Sequence, residues 1–446
     1  MFSAHDAERL IFTLVAPIAA TETVAISEVG SCLGRVLAQP VTSALDFPHW
    51  DNSAMDGYAV RAEDVQQVPV TLQVIEEIPA GHRPAKTVMS GQSARILTGA
   101  MMPNGADTVV MQENTERSQP GVSPSGAAQP GTVTILNVPE PQNFVRQQGS
   151  FSKAGDELLP VGRAIAPAEV ALLAAAQCPT VQVYRRPRVA ILSTGSELVS
   201  PEQPLGPGQI VDSNQYALCA LVAQTGAVPI PMGIVADDRA AVKNAIAQAL
   251  SQADMVLSSG GVSVGDYDYV DDVLAELGAT LHIRAVAVKP GKPLTVATVP
   301  GSIGSQDVLE SQGVSESASG SSSGNAEPAL ANRLYFGLPG NPASAMVGFW
   351  RFVAPAIAKL SGQQGPWTPD FVWATATTDL RAGGRRETYL WGQLASRESG
   401  YTFGRAPGSH SSGNLVNLAN TTGLGIVPQG TTHIPAGDRV QVLKIT

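Results

Sequence analysis

Cysteine is scarce in this chain of 446 residues, and aromatic residues are few. The three cysteines, Cys32, Cys178 and Cys219, are far apart and odd in number, and no C-x-x-C pair occurs. This pattern argues against a disulfide framework and against a zinc site, and it fits a reducing cytoplasm. Because aromatic residues make up only 5% of the chain, aliphatic side chains and alanine must fill the core.

Basic stretches and long apolar runs are also lacking. The formal net charge is −10 and no basic arm or stripe is present, which argues against a nucleic-acid partner. An anionic ligand would therefore need a local pocket of lysines, arginines and backbone N–H groups. The N-terminus has acidic residues and no apolar h-region, and no run reaches ~18 apolar residues, so we expect neither a signal peptide nor a membrane span. These features predict a cytoplasmic protein with no membrane partner.

The order of strand and helix patterns predicts a multidomain α/β protein. Between residues 180 and 361 apolar strands alternate with helices, which predicts a central domain with a doubly wound, mainly parallel sheet. Residues 301–328 of that domain lack Lys and Arg and are rich in Ser and Gly, which predicts a flexible low-complexity insertion without chemistry. The other predicted domains are an N-terminal helical and linker domain at 1–44 and 141–179, an inserted small β domain at 45–140, and a C-terminal β domain at 362–446.

Two helices are predicted near the N-terminus and one further along. HDAERLIFTLVAPIAA, residues 5–20, has a helical pattern, and EVGSCLGRVLAQPVTS, residues 28–43, is interpreted as a helix-like piece that ends near Pro40. PAEVALLAAAQ, residues 167–177, has proline at its start and is rich in alanine, which predicts a third helix.

Three glycine-rich loops follow apolar strands in the central domain. They are TGSE after RVAILS, GGVSVGDYDY after DMVLSS, and LPGNPASA after LYFG. Ligands of open α/β sheets bind beyond the carboxyl ends of the strands, where helix starts offer free N–H groups to anions. One such loop is more often plain turn chemistry, but three in one domain favour a site. We expect Asn341 to N-cap a helix that has Pro342 at its first position.

Lysines and carboxylates accompany these loops. Lys289 and Lys292 in VKPGKP are either ordinary lysines on a solvated loop or two point charges aimed at an oxyanion. The nearby carboxylates are Glu197, Asp237, Asp238, Asp266 and Asp268. Each of them can cap a helix, which is how Asp238 before RAAVKNA is interpreted, or together they can hold Mg²⁺. The combination indicates a phosphate-bearing substrate and metal assistance, and it does not name the substrate.

Six motifs occur in one order along the chain: DNSAMDGYAV, LTGAMMPNGADTVVMQE, STGSEL, SSGGVSVGDYDYV, KPGKP and LPGNPASA. This set resembles the molybdopterin molybdenumtransferase family, of the bacterial MoeA and gephyrin E-domain type, over essentially the whole chain except 301–328. The resemblance implies insertion of molybdate-derived molybdenum into adenylated molybdopterin, with Mg²⁺-dependent release of AMP and formation of the molybdenum cofactor. It also implies a central domain similar to molybdopterin adenylyltransferase and a homodimer with shared active sites. Molybdopterin adenylyltransferase, apo-molybdoenzymes and their chaperones are further partners that it suggests.

The resemblance assigns site residues position by position. The implied catalytic residues are Asp56, Thr98, Glu197, Asp268, Lys289 and Lys292. The implied substrate-binding residues are Gly260, Gly261, Ser263, Pro339, Gly340, Asn341, Pro342, Ser344, Arg385, Ser409 and Arg146. The implied ligands of Mg²⁺ are Asp56, Asp237, Asp238 and Asp268. Two departures weaken single contacts: Ser150 and Phe151 stand where the family often has an acidic residue, and Leu390 replaces the last basic residue of an R-x-E-x-x-R motif.

Three alternatives stay open at this point. By itself DNSAMDGYAV is typical of a polar surface turn of the Asx type, whereas the resemblance makes it a site loop in which Asp56 positions a metal or acts as a base toward water. The same fold can also serve as a binding scaffold without catalysis, although the intact motifs favour retained chemistry. A metal-dependent phosphohydrolase would use the same carboxylates and would release AMP without molybdate.

Overall fold

The structure is a computed structural model that describes residues 1–118, 121–122, 128–129, 131–261, 269–301 and 332–445. The chain forms two compact units. The large unit comprises Met1–Gln39, Val161–Ala171 and Pro179–Thr446, and the small unit comprises Pro40–Pro160 and Leu172–Cys178. The insertion predicted at 301–328 falls almost entirely outside the described residues.

The helices are short. Within the described residues none is long and apolar enough to cross a membrane. They are α1 Ala4–Leu14, α2 Val29–Cys32, α3 Pro167–Ala175, α4 Asn214–Gln224, α5 Arg239–Gln252, α6 Val270–Glu276, α7 Pro342–Gly348, α8 Ala354–Leu360 and α9 Leu415–Leu418. Short 3₁₀ turns lie at Ala62–Val65 and Gln112–Asn114, and a π-helical turn at Phe349–Val353 joins α7 to α8.

The strands are mostly short. In the first half of the chain they are β1 Thr21–Ala25, β2 Val41–Thr42, β3 Asn52–Ser53, β4 Gly57–Val60, β5 Val70–Ile78, β6 Gln92–Ile96, β7 Thr108–Met111, β8 Thr115–Ser118, β9 Gly121–Val122, β10 Ala128–Gln129, β11 Thr132–Ile135, β12 Val145–Arg146, β13 Glu157–Leu159, β14 Thr180–Tyr184 and β15 Arg188–Thr194. In the second half they are β16 Leu198–Val199, β17 Ile210–Val211, β18 Val228–Val235, β19 Met255–Ser259, β20 Thr280–Ala285, β21 Val288–Lys289, β22 Pro293–Pro300, β23 Asn332–Leu338, β24 Phe371–Ala376, β25 Leu380–Arg381, β26 Glu387–Arg397, β27 Gly400–Arg405, β28 Gly423–Val427, β29 His433–Ile434 and β30 Arg439–Lys444.

Of the two helices predicted near the N-terminus, the first is confirmed and the second is wrong. The first helix is present as α1, but it ends at Leu14 because Pro17 follows closely and the residue before a proline disfavours the helical conformation. The helix-like piece predicted from residue 28 to near Pro40 is only the single turn α2. Gly34 has φ +74°, which ends that turn, and Val36 and Leu37 then bridge to other chain segments in extended conformation.

The central sheet of the large unit has the strand order β18-β15-β19-β23-β22-β20. β18, β15, β19 and β23 are parallel. β22 pairs antiparallel with β23, and β20 pairs antiparallel with β22, so β20 again runs in the direction of the parallel strands. Val189 and Ile191 pack on one face with α4, α7 and α8, whereas Ala190 and Leu192 pack on the other face with α5 and α6. A strand covered on both faces needs a nearly continuous apolar sequence, which RVAILS supplies.

A closed barrel follows at the C-terminal end. Its strands are ordered β26-β27-β24-β30-β28, and β28 pairs back with β26. Its inner side chains include Leu380, Phe403 and Val442. The short strand β21, which lies between β20 and β22 in sequence, pairs in parallel with β26, so Lys289 is aligned with Thr388 of the barrel. The barrel therefore holds one end of the KPGKP segment in place.

Buried charges connect three elements of the large unit. Arg351, in the π-helical turn, donates hydrogen bonds to Glu8 of α1 at 2.7 and 3.3 Å and to the Tyr389 hydroxyl of β26 at 3.0 Å. Tyr389 in turn donates to Glu387. Glu8 and Arg351 are each 5% exposed. Burial raises the pKa of Tyr389 well above its ordinary value, so its hydroxyl stays a proton donor.

The small unit is built around a sheet of order β7-β4-β6-β5-β11-β8. Aliphatic side chains from these strands form its two apolar clusters. The β-rich character predicted for residues 45–140 is confirmed. In β4, a Cβ on Gly57 would lie 2.0 Å from the carbonyl oxygen of Val110 on β7, so only glycine fits where the two strands approach.

Candidate active site

A cleft of about 1430 Å³ opens in the large unit at the carboxyl edge of the central sheet. Each of the four parallel strands contributes to its wall through the residues that end or follow it: Thr194 for β15, Asp237 for β18, Gly260 for β19 and Gly340 for β23. Parallel strands end at one edge of a sheet, and this is where open α/β sheets bind ligands. The three glycine-rich loops singled out in the sequence therefore meet at one place.

The barrel supplies much of the remaining wall. Arg381, Arg386 and Arg405 line the cleft, and so does the barrel loop from Ser409 to Gly413. The N–H group of Ala343 in α7 donates to the carbonyl oxygen of Ser412 at 2.9 Å, so this loop lies against the start of the helix. The cleft therefore has one wall from the edge of the central sheet and another from the barrel.

Positive charge dominates the cleft although the chain is acidic. Its cationic lining residues within the described part are Lys289, Lys292, Arg381, Arg386 and Arg405, and its carboxylates are Glu197, Asp212 and Asp237. The side chains of Lys289 and Lys292 are exposed, and their ammonium groups make neither an ion pair nor a hydrogen bond to the described residues. Two unpaired ammonium groups beside backbone turns are available to an anionic ligand.

Gly260 and Gly261 must be glycines. Their φ angles are +95° and +62°, which side-chain-bearing residues rarely adopt. A Cβ on Gly260 would lie 2.4 Å from the Thr194 carbonyl oxygen, and one on Gly261 would lie 3.0 Å from the Thr194 hydroxyl. The backbone can therefore approach both Thr194 and a ligand closely. The Thr194 hydroxyl is itself buried without a hydrogen-bond partner in the described structure.

Asn214 connects the loops. Its side-chain amide donates to the Ser259 hydroxyl at 2.6 Å and to the Gly340 carbonyl oxygen at 2.7 Å, which joins the ends of β19 and β23 to the start of α4. Asp212 fixes that start by accepting from the backbone N–H groups of Asn214 and Gln215, each at 3.1 Å. Both Asp212 and Asn214 are buried, so the Asp212 carboxylate acts mainly as a structural acceptor.

Replacing Asn214 with alanine is expected to lower the free energy of unfolding by about 2–3 kcal/mol, because two buried hydrogen bonds are lost and their acceptors stay unsatisfied. Calorimetric unfolding of the full chain measures this loss. Asn244→Ala is the matched control, since Asn244 is exposed on α5. An Asn214→Ala protein as stable as the Asn244→Ala protein would contradict the connecting role.

The predicted acidic residues divide into two groups. Asp237 lines the cleft and accepts from the Ser196 N–H at 3.0 Å, while the Ser196 hydroxyl accepts from the Asp237 N–H at 3.2 Å. This reciprocal pair holds Asp237 beside the loop that carries Glu197, which is exposed to the cleft. Asp238 instead N-caps α5, accepting from the Ala241 N–H at 2.9 Å, as its sequence context predicted, and it does not line the cleft.

The donor set is compatible with Mg²⁺. This ion usually takes one or two carboxylates together with substrate phosphates, and Glu197 and Asp237 supply two carboxylates in a cationic cleft that suits phosphates. Among the described residues no group of three or more His, Cys, Asp or Glu side chains is gathered. A complete protein cage for a metal is therefore absent from that part of the chain.

The other predicted residues of the large unit are placed as follows. Gly260, Gly261, Pro339, Gly340, Asn341, Pro342, Ser344 and Ser409 line the cleft together with Glu197, Asp237, Lys289 and Lys292. Asn341 occupies the N-cap position of α7 and Pro342 its first turn, but the Asn341 side chain makes no capping hydrogen bond. Arg385 is exposed and does not line the cleft, whereas its neighbour Arg386 does. Ser263, Asp266 and Asp268 lie outside the described residues.

The small unit brings together its own predicted residues. Asp56 Oδ1 accepts from both the backbone N–H and the hydroxyl of Thr98, each at 2.7 Å. These two hydrogen bonds lower the pKa of Asp56 below its ordinary value of 3.8. Arg146 pairs with Asn52 across β12 and β3, so it lies beside the DNSAMDGYAV segment. Ser53 makes a local turn by bonding to Met55, so the turn interpretation and the site interpretation of this segment are both compatible with its geometry.

Comparison with known proteins identifies the family. A molybdopterin molybdenumtransferase of Nostoc sp. is 51% identical over 449 residues, covering 100% of this chain and 94% of the relative. The chain belongs to the MoeA family. Its three regions match family models of the MoeA N-terminal region (domains I and II) at 2–176, of a probable molybdopterin binding domain at 190–359, and of the MoeA C-terminal region (domain IV) at 374–445. The resemblance that the six motifs carried is confirmed.

More distant MoeA relatives agree. A molybdopterin molybdenumtransferase of Haemophilus influenzae is 33% identical and covers 92% of this chain and 90% of the relative. Two crystal structures of the molybdopterin biosynthesis MoeA protein of Pyrococcus horikoshii have TM-scores of 0.72 and 0.77 at 27% and 26% identity. They cover 100% of this chain and 99% and 100% of their own chains, respectively. The fold is therefore that of MoeA proteins along the whole chain.

Sequence reasoning missed several residues of the MoeA cleft. Arg381, Arg386 and Arg405 come from the barrel, and no motif in the sequence connects them to the central domain. Asp212 and Asn214 carried a usable signal, because GQIVDSN places Asp and Ser just before a helical pattern, as in an N-cap. That signal predicts the start of α4, and only the structure shows that Asn214 bonds to two strand ends.

Proposed function

We propose that this MoeA-family chain inserts molybdate-derived molybdenum into adenylated molybdopterin and releases AMP with the help of Mg²⁺. The observation that carries the proposal is the cationic cleft at the carboxyl edge of the central sheet in a chain of net charge −10. Molybdate is a dianion and the adenylated substrate carries phosphates, so both need a local concentration of positive charge.

The lysines and the arginine of the cleft would bind the anionic substrates in different ways. Lys289 and Lys292 are compact point charges on long stems, suited to phosphate or molybdate oxygens whose positions change during the reaction. Arg386 donates to the Val288 carbonyl oxygen at 3.2 Å, which fixes its guanidinium at the strand that carries Lys289. Its remaining donors suit a planar, two-point contact with an oxyanion.

Glu197 and Asp237 would hold Mg²⁺ together with substrate phosphates. When bound, the ion would polarise the phosphoanhydride and make AMP a better leaving group. Lys289, Lys292 and Arg386 would orient the phosphate and molybdate oxygens. Asp268 is part of the same prediction on the basis of the family resemblance.

Asp56 is better suited to a charged, anchoring role than to that of a general base. Its pKa is lowered by the hydrogen bonds from Thr98, so it remains ionised at neutral pH and takes up a proton only in strong acid. Oδ1 accepts both of these bonds. Oδ2 is left for a metal or a substrate donor.

The proposal extends to assembly and location. It includes a homodimer with shared active sites, with molybdopterin adenylyltransferase and apo-molybdoenzymes or their chaperones as further partners, in the cytoplasm. Sedimentation of the purified chain tests the dimer.

The test is AMP release from adenylated molybdopterin with Mg²⁺, with and without molybdate. The wild type is expected to release AMP only when molybdate is present. Asp56→Asn is expected to lower that release about 100-fold, because the variant loses the negative charge that would anchor a metal or a substrate donor. Because the pKa of Asp56 is depressed, its ionisation is complete well below pH 5, so any loss of wild-type activity between pH 7 and 5 has to come from another group.

Asp46→Asn is the matched control for this test. The pKa of Asp46 is also lowered, first by a hydrogen bond from the Ala154 N–H, yet Asp46 belongs to no proposed site. Its variant should keep normal turnover. Release of AMP without molybdate would instead favour a phosphohydrolase, and binding without any release would favour a scaffold.

A further inference from the structure

The cleft carries an exposed apolar surface that the proposed chemistry does not use. Leu198, Ile210 and Val211 all line the cleft, and we call them the aliphatic shelf. Ile210 is 54% exposed and Val211 is 37% exposed. Other large apolar side chains of the cleft wall in the described structure, such as Tyr389 and Leu390, are buried. Apolar side chains held open to solvent inside a binding cleft lose contact with water when a ligand arrives.

The shelf is fixed by backbone pairing. Leu198 and Ile210 are directly paired in the short parallel ladder of β16 and β17. The Ile210 N–H donates to the Glu197 carbonyl oxygen and the Asp212 N–H to the Val199 carbonyl oxygen, both at 2.9 Å. Asp212, buried at the start of α4, then holds the end of the ladder. The shelf is therefore a built feature of the cleft wall.

The strand order separates the shelf from the lysines. The shelf follows β15, whereas Lys292 directly precedes β22, which runs antiparallel to β23 and so begins at the carboxyl edge. In the strand order β15-β19-β23-β22, the strand that leads into the shelf and the strand that follows Lys292 are not neighbours. A ligand that contacts both surfaces needs an apolar part for the shelf and an anionic part for the lysines.

We propose that the aliphatic shelf is the seat of a flat fused-ring heterocycle of the substrate, and that the cationic side of the cleft holds the attached phosphates. This inference rests on the proposed function, because adenylated molybdopterin offers two such heterocycles, adenine and the pterin. A purine or pterin has a broad apolar face that aliphatic side chains can cover, and its edges can still reach polar groups of the wall. Adenine and the pterin both offer such a face, and probes that carry only one of the two ring systems distinguish between them.

The test compares the wild type with the double variant Ile210→Ser/Val211→Ser by calorimetric titration of the full chain. The probes are AMP, 6-hydroxymethylpterin and ribose 5-phosphate. Loss of the shelf is expected to weaken binding of the heterocycle that it holds about tenfold, which corresponds to losing the burial of about two methylene groups. Ribose 5-phosphate binding should not change, because it has no ring system for the shelf.

Leu205→Ser is the matched control. Leu205 lies in the same segment between β16 and β17 and is 58% exposed, but it does not line the cleft. Its variant should bind all three probes as the wild type does. Since the shelf residues are exposed, the double variant is expected to fold, and its unfolding temperature checks this.

Each outcome has a definite meaning. Weaker AMP binding alone assigns adenine to the shelf, and weaker pterin binding alone assigns the pterin. Unchanged binding of both heterocycles, or no binding of either by the wild type, overturns the proposal. A change in oligomeric state without a change in the binding of either heterocycle also overturns it, because it would show that a second copy covers the shelf. Molybdate-dependent AMP release by the wild type is scored separately, so failure of the shelf and failure of the transferase function are distinguishable.

Discussion

Removing both lysines of the KPGKP segment, by Lys289→Ala and Lys292→Ala together, is expected to reduce kcat/KM for molybdate-dependent AMP release about 1000-fold. Each ammonium group is unpaired in the described structure and lines the cleft, so its full interaction with ligand oxygens is lost. A hydrogen bond to a charged group contributes roughly 2 kcal/mol, and two of them amount to about three powers of ten. Steady-state kinetics at several molybdate concentrations measure the effect.

Lys243→Ala is the control for the lost charge. Lys243 lies on α5 and pairs with Glu276 at 3.2 Å, away from the residues that line the cleft. Its variant changes the net charge of the chain without touching the site, and its turnover should stay within about twofold of the wild type. If the double lysine variant lost no more activity than Lys243→Ala, the two lysines would be the ordinary solvated pair that the sequence alone left open.

The glycine loops were predictable because their sequence signals are local. An apolar strand followed by glycines places a loop at a sheet edge, and parallel strands bring such edges together. Lys289 and Lys292 could be connected to that edge only through the family motif, and the structure supplies the physical reason. β21 pairs with the barrel strand β26 while β22 enters the central sheet, so KPGKP spans from one to the other.

The arginines of the cleft were not predictable, because no local sequence signal connects them to the central sheet. Arg386 directly precedes β26 and Arg405 ends β27, about a hundred residues further along the chain than the lysines. The sequence there indicates only a β domain. Their position in the cleft depends on how the barrel packs against the central sheet, which no local pattern encodes. The family motif favoured Arg385, but in the bend before β26 Arg385 is exposed and Arg386 lines the cleft.

The prediction of a helix-like piece from residue 28 to near Pro40 was wrong because of the backbone conformation at one glycine. Apolar residues at Val29, Leu33 and Val36 imitate a helical period, but Gly34 adopts φ +74° and turns the chain into extended pairing. Tertiary bridges from Val36 and Leu37 outweigh a weak local preference. The length of α1 was overestimated for a related reason, because periodicity continues past Leu14 while Pro17 prevents the helix from following it.

Arg351→Met is expected to lower the free energy of unfolding by about 3–5 kcal/mol, because it leaves Glu8 buried without a partner charge. The Tyr389 hydroxyl loses a donor at the same time. Calorimetric unfolding of the full chain is the measurement, and a loss under about 1 kcal/mol would contradict the prediction. Adding Glu8→Leu to Arg351→Met removes the orphaned carboxylate, so the double variant should recover much of the lost stability.

Arg351→Met should also weaken substrate binding in the cleft. Tyr389 is buried beneath the cleft on β26, and its neighbours Arg386 and Thr388 line the cleft as well. β26 also pairs with β21, which carries Lys289, so a shift of this strand moves cations on both. Arg351→Met at a temperature where it remains folded should therefore raise KM for the adenylated substrate several-fold. Restored stability without restored KM in the double variant would separate the two roles, because the Arg351 contact to Tyr389 stays lost when Glu8 is removed.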